Sequence, residues 1–132
     1  MSADRVDVEP VEQNPVICHL VGATEWRSGT YRPASLDAEG FVHLSTVAQI
    51  LGTANLFYAG RTDLLVLLVD PAALPDLRWE APSAGPDGAA APTGRFPHSY
   101  TALPADAIVA VHPFPPGPDG RFTTLPPELV AY

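Results

Sequence analysis

"EGFVHLSTVAQILGTANLFYAG", residues 39–60, changes its hydrophobic period partway along. From Phe41 to Ser45, apolar and polar side chains alternate as in a half-buried strand. Val42 and Leu44 fall on one face, His43 and Ser45 on the other. From Val47 onward the apolar residues Val47, Ile50, Leu51, Ala54, Phe57 and Tyr58 recur every three or four positions, which buries one face of a helix. Thr46 is the expected cap, with Gln49 completing a T-x-x-Q capping box and Gly60 suiting the stop. Gly52 weakens this helix and suggests that another backbone passes close to it. A strand that runs straight into an amphipathic helix implies a mixed fold.

The flanking sequence supplies more strands. "PVICHLVG" (15–22) is an apolar run interrupted by His19 and reads as a buried strand. "ATEWRSG" is expected to form one or two helical turns stopped by Gly29. "TYRPASLDAEG" (30–40) is expected to be a loop, because Pro33 pushes Arg32 out of helical geometry and Gly40 permits a turn. Downstream, "DLLVLLVD" (63–70) is a continuous apolar run, the pattern of a strand covered on both faces. "PAALP" turns the chain into "LRWEA" (77–81), with Arg78 and Glu80 on one face and Trp79 on the other. "PSAGPDGAAAPTG" (82–94) has the composition of an exposed mobile loop. "FPHSY" returns to extended structure, "LPADA" turns, and "AIVAVHPF" (107–114) alternates as a last strand. The expected organisation is a flexible acidic lead-in (1–14), one α+β domain (15–114) and a Pro/Gly-rich tail packed on it (115–132). The domain would hold five or six short strands, one main helix and one short helix.

Composition narrows the function. The 132 residues suit one domain with a real core. Fifteen acids face seven bases, a net charge of −8, and every base is an arginine. Without lysine there is no Schiff base and no Walker A lysine. Nothing basic clusters to neutralise phosphates, which argues against general nucleic-acid binding, although one well-placed Arg can grip a small phosphate-bearing ligand. The single Cys18 excludes an internal disulfide and a multi-cysteine zinc site. The acidic start lacks a signal-peptide pattern and no apolar run could span a membrane, so a cytoplasmic location without membrane partners is expected. Composition leaves the oligomeric state open.

Polar chemistry concentrates at His19, the His43-Leu44-Ser45-Thr46 turn, Arg78-Trp79-Glu80 and Phe96-Pro97-His98-Ser99-Tyr100. Each has a structural reading: a hydrogen-bonded core histidine, a helix cap, a surface acid, a half-buried ring. Together they put three histidines and several hydroxyls in apolar segments, and buried polar groups need partners. A small ligand rich in donors and acceptors would supply them. His19, His43, Ser45 and His98 are therefore expected to line one cleft, with the 82–94 loop at its mouth. Three histidines could instead hold zinc. The chain has no H-x-x-x-H and no carboxylate at ligand spacing from a histidine, so no metal is expected. Ser45 does not sit on a G-x-S-x-G elbow.

The segments "ICHLV", "EW…G.YRP.SL..EGFVHLST..Q.LG.AN.FYAGR.DL.VL.VDPA.L", "RWE" and "FPHSY..LP.DAI" resemble the domain-of-unknown-function family 952, from about Val16 to Phe114. Two residues depart from that pattern: Leu44 where the family usually has Cys, and Thr101 where it usually has Gly. The resemblance implies an ADP-ribosyltransferase-like fold, two small, mostly antiparallel sheets around a cleft with one main helix. In such a cleft NAD binds without a Rossmann motif. An early-strand histidine holds a ribose, here His19; a second-strand motif lines the nicotinamide side, here His43 with Ser45; the third position falls to Glu80 or to His98 and Tyr100. The stretch around His43 is also similar to the H-x-H-h-S region of RNA 2′-phosphotransferases, although this chain lacks the first histidine of that pair.

The implied function is an enzyme that uses NAD or an ADP-ribose-type nucleotide, by ADP-ribosyl or phosphate transfer or by NAD glycohydrolysis. His43, Glu80 and His98 would be catalytic, with Glu80 the anion beside the reacting ribose. His19, Ser45 and Thr46 would bind the ligand, Arg32 would meet its pyrophosphate, and Trp79 or Tyr100 would stack on a ring. A non-catalytic nucleotide- or metabolite-binding module and a zinc-dependent hydrolase remain as alternatives.

Overall fold

A computed structural model of the chain describes residues 16–82 and 94–130. Among the described residues, six strands form two antiparallel sheets. The first sheet contains β1 (Ile17–Gly22), β3 (Leu64–Val69) and β6 (Ile108–Pro113), with β3 in the middle. The second contains β2 (Val42–His43), β5 (Phe96–Ser99) and β4 (Leu77–Glu80), with β5 in the middle. Two single-turn 3-10 segments, Pro71–Ala73 and Ala105–Ala107, lead into β4 and β6. Among the described residues, no helix is long and apolar enough to cross a membrane.

β3 explains the architecture. Its side chains alternate between two cores, as the period of a strand requires. Leu64, Val66 and Leu68 face a core built with Cys18 and Leu20 of β1, Ile50 and Ala54 of α2 (Ile50–Tyr58), and Phe114, Phe122 and Leu129. Leu67 and Val69 face a second core with Ile17, Val21, Tyr31, Leu36, Val42, Leu44 and Leu103. The apolar run is thus covered on both faces, by α2 and the C-terminal residues on one side and the second sheet on the other. At the β3–β6 pairing the register shifts between Leu68 and Val69, and Val109 is left outside the ladder, exposed.

The C-terminal stretch is pinned by Asn55. Its side-chain amide donates to the Phe122 carbonyl, and its side-chain oxygen accepts the Phe122 N–H, both at 2.8 Å. α3 (Pro127–Val130) follows, with Leu129 fully buried.

Three expected elements differ. Residues 30–40 are not all loop, because α1 (Ala34–Glu39) forms there. Pro33 excludes helical geometry only from the residue before it; its own extended backbone (φ −68°, ψ 156°) starts the helix, and Leu36 N–H returns to its carbonyl at 3.0 Å. Gly40, left-handed at φ 91°, ends α1 with its N–H on the Leu36 carbonyl. "ATEWRSG" forms a tight turn instead of a helix, closed by Glu25 N–H to the Gly22 carbonyl at 2.9 Å. The main helix begins at Ile50, after a turn, although Thr46 and Gln49 do exchange the capping-box hydrogen bonds at 2.9 and 3.2 Å. Gly52 is exposed, and a Cβ there would meet no described atom within 4 Å, so no backbone approach accounts for it. Of the expected loop at 82–94, residues 83–93 lie outside the described residues, as does the lead-in.

Candidate functional site

The two sheets touch where Cys18 and Ser45 exchange backbone hydrogen bonds at 2.7 and 2.9 Å, and they diverge around a cavity of about 550 Å³. Its wall takes His19 from β1, His43 from β2, His98 and Phe96 from β5, Ser45 and Thr53 from the α2 side, and Tyr31, Arg32 and Glu39 from the segment around α1. Strand pairing explains the gathering. His43 lies opposite His98, and His98 opposite Arg78, so all three share the face turned from the Val42–Ser99–Leu77 face.

His98 is 4 % exposed. Its Nδ1 lies 2.8 Å from Glu80 Oε1, the same oxygen that accepts the Tyr100 hydroxyl at 2.7 Å. Those two donors, Tyr100 first and His98 second, hold the Glu80 carboxyl below its usual range. A carboxylate here is acceptor-only, so Nδ1 carries a proton and Nε2 is the nitrogen left for a ligand. Nε2 has no hydrogen-bond partner among the described residues. Phe41 stacks on the His98 ring at 4.3 Å between centroids and limits its rotation. Behind Tyr100, the Arg78 guanidinium lies 4.0 Å over the ring, itself held by both oxygens of Asp76 at 3.0 Å.

His19 is fixed differently. It is 7 % exposed, and its Nδ1 donates to the His43 carbonyl at 2.7 Å. Burial pushes its pKa down to about 4, against a smaller opposing pull from that hydrogen bond. At neutral pH it is an uncharged ring with an acceptor Nε2, suited to receive a ligand O–H or N–H and unsuited to store a proton. Its neighbour Cys18 also borders the cavity, but burial pushes the thiol up to about 12, which leaves it protonated and a poor nucleophile.

The remaining residues suggested by the sequence separate into two groups. Ser45 and Arg32 line the cavity with the three histidines. Ser45 is buried and its hydroxyl pairs with Thr53 Oγ1 at 2.9 Å, while Arg32 is exposed and bound to Asp37 at 2.6 Å. His43 is half-buried, with Nε2 on Glu39 at 3.0 Å. Thr46, Trp79, Glu80 and Tyr100 do not line the cavity. Thr46 is committed to the capping box. Trp79 is 41 % exposed on the face of β4 opposite Arg78 and Glu80, so it has no access for stacking on a ligand in this cavity. Glu80 and Tyr100 stand behind His98, with the Glu80 carboxylate on the His98 ring and the Tyr100 hydroxyl. The sequence reading overlooked Glu25, Tyr31, Glu39 and Phe41, although "YRP" and "EGFVH" contain three of them.

Among the described residues, no group of three His, Cys, Asp or Glu side chains is placed to hold a metal ion.

The family model described as "Protein of unknown function (DUF952)" matches residues 5–111. No curated protein matches the chain. Among solved structures, the crystal structure of protein CC0527 from Caulobacter crescentus is similar at 28 % identity and a TM-score of 0.65, covering 82 % of this chain and 93 % of that one. The solution NMR structure of CC0527 is similar at 29 % identity and a TM-score of 0.63, covering 83 % and 92 %.

Proposed function

The chain belongs to the DUF952 family, and on that premise, which carries no activity with it, we propose that the cavity binds an NAD- or ADP-ribose-type nucleotide and acts on its ribose. In this reading the two sheets correspond to the ADP-ribosyltransferase-like arrangement. One observation supports it most: a buried histidine in the cavity wall, His98, has Nδ1 fixed on a carboxylate and Nε2 without a partner among the described residues. Such a ring is oriented to take a proton from an attacking hydroxyl or water, and Glu80 stabilises the imidazolium that results. At the ribose, the bond from C1′ to the nicotinamide nitrogen breaks and its electron pair neutralises the departing pyridinium. The acceptor oxygen bonds to C1′ and its proton goes to His98 Nε2. His19 Nε2 accepts a sugar hydroxyl, His43 and Ser45 line the same wall, and Arg32 offers its guanidinium to the pyrophosphate in exchange for Asp37.

The chain incubated with NAD should release nicotinamide, detected by mass spectrometry. His98→Gln should lower that rate by about 100-fold or more, the scale of a lost general base. No release by the unaltered protein sinks the catalytic reading. A non-catalytic nucleotide-binding module is the second reading. It is favoured by the commitments of the cavity's carboxylates: Glu25 accepts the Gly22 N–H, and Glu39 pairs with His43. Saturable binding of ADP-ribose with no turnover of NAD would select it.

A further inference from the structure

At one end of the cavity the nucleotide reading engages only His19, through one sugar hydroxyl. Tyr31 lines it at 8 % exposure, and its hydroxyl has no hydrogen-bond partner among the described residues. The hydroxyl of half-buried Tyr58, also in the wall, has none either. A polar group so placed is costly unless something bonds to it. Burial raises both phenols above their ordinary range, with Glu25 adding to it and, at Tyr58, Arg61 partly opposing it, so each stays an O–H donor. Glu25 lines the same end; its Oε1 accepts the Gly22 N–H at 3.2 Å and Oε2 remains. His19 connects this end to the other, with its ring centroid 5.7 Å from that of Tyr31 and its Nδ1 on the His43 carbonyl.

We propose that Glu25, Tyr31 and Tyr58 complete, with His19, a subsite that takes the vicinal diol of a neutral sugar. Each hydroxyl of a diol both donates and accepts. Glu25 Oε2 and His19 Nε2 accept the two sugar protons, and the phenols donate to the sugar oxygens. Charge disfavours the other ligand classes. An anion meets Glu25, and the nearby Arg61 is already held by both oxygens of Asp63 at 2.7 and 2.9 Å. A cation meets Arg61, whose guanidinium lies 5.8 Å from the Tyr58 ring centroid. Arg61 and Glu25 converge over the bare backbone of Gly22, where a Cβ would lie 2.6 Å from Arg61 Nη2 and 3.0 Å from Glu25 Oε1. Only the identity of the sugar as ribose rests on the nucleotide reading.

The test is an amide NMR titration of the full chain with methyl β-D-ribofuranoside. Saturable shifts are expected around residues 22–31 and at Tyr58, absent with the 2,3-dideoxy analogue and at least fivefold weaker for Tyr31→Phe. Because Phe removes a hydroxyl that lacks a partner, the melting temperature of that variant should be unchanged or higher. No saturable shift, equal response to the dideoxy analogue, or a Tyr31→Phe variant that melts lower and binds normally overturns the subsite. Ribofuranoside binding without nicotinamide release keeps the subsite and sinks the catalytic reading; release without ribofuranoside binding does the reverse.

Discussion

His19 and His43 are joined through one carbonyl, yet substitutions at the two should be felt in different measurements. The unfolded chain protonates His19 near pH 6.5, its ordinary value, and the folded chain only near pH 4. Between those values the unfolded state binds more protons, so stability falls as the pH is lowered. Urea unfolding should show a loss of about 2 kcal/mol from pH 7 to pH 5 arising from this group. His19→Gln does not titrate and should lose that part of the slope; equal losses in both proteins would clear His19 as the source. Glu80, depressed by Tyr100 and His98, adds a loss in the same direction at lower pH, as its carboxylate is protonated. His43 contributes mainly its backbone oxygen to the fold, and alanine keeps that atom. His43→Ala should cost under about 1 kcal/mol of stability, since the ring is half-buried, and weaken ADP-ribose binding by about tenfold or more. A thermal melt beside a calorimetric titration separates the two; a deep fall in melting temperature with unchanged affinity would return the ring to the core.

At the scale of elements, the strands were legible and the helix ends were not. "LLVLLV" could only be a strand with two apolar neighbours, and it is β3. The alternation over Val42–Ser45 placed His43 and Ser45 together because backbone pleat alone decides that. α1 is hidden in the sequence because Pro33, which keeps Arg32 out of helical geometry, also begins a helix. The main helix starts three residues later than its capping box suggests: Thr46 and Gln49 make the capping contacts, but the helix's N-cap is Gln49 and the turn before it is not regular helix. Trp79 is an aromatic ring suited to stacking, and the alternation of β4 separates it from Arg78 and Glu80, but nothing local says which face borders the cavity. Gly52 remains the plain defect of α2. Exposed, helical and with open space at its Cβ position, it should accept alanine, and Gly52→Ala should gain about 0.5–1 kcal/mol. Differential scanning calorimetry should show a rise of about 2–5 °C; a fall would reveal a contact at that face.

Across the whole molecule, the strand orders skip along the chain, β1-β3-β6 and β2-β5-β4, so the cavity depends on pairings such as His43 with His98. Such distant partners leave no trace in a local pattern, and only the clustering of histidines and hydroxyls hinted at them. The same topology makes β3 the common wall of two cores. Neither core can come apart while that strand stays paired, because each would lose a face. Its amide protons therefore have no private route to solvent, and they should exchange with deuterium only when the entire chain opens. Exchange at Val66 and Leu67, followed by NMR, should then report the global unfolding free energy, and report it equally for the two residues although they face different cores. Faster exchange on one face would mean that the protein can shed half of its interior at a time.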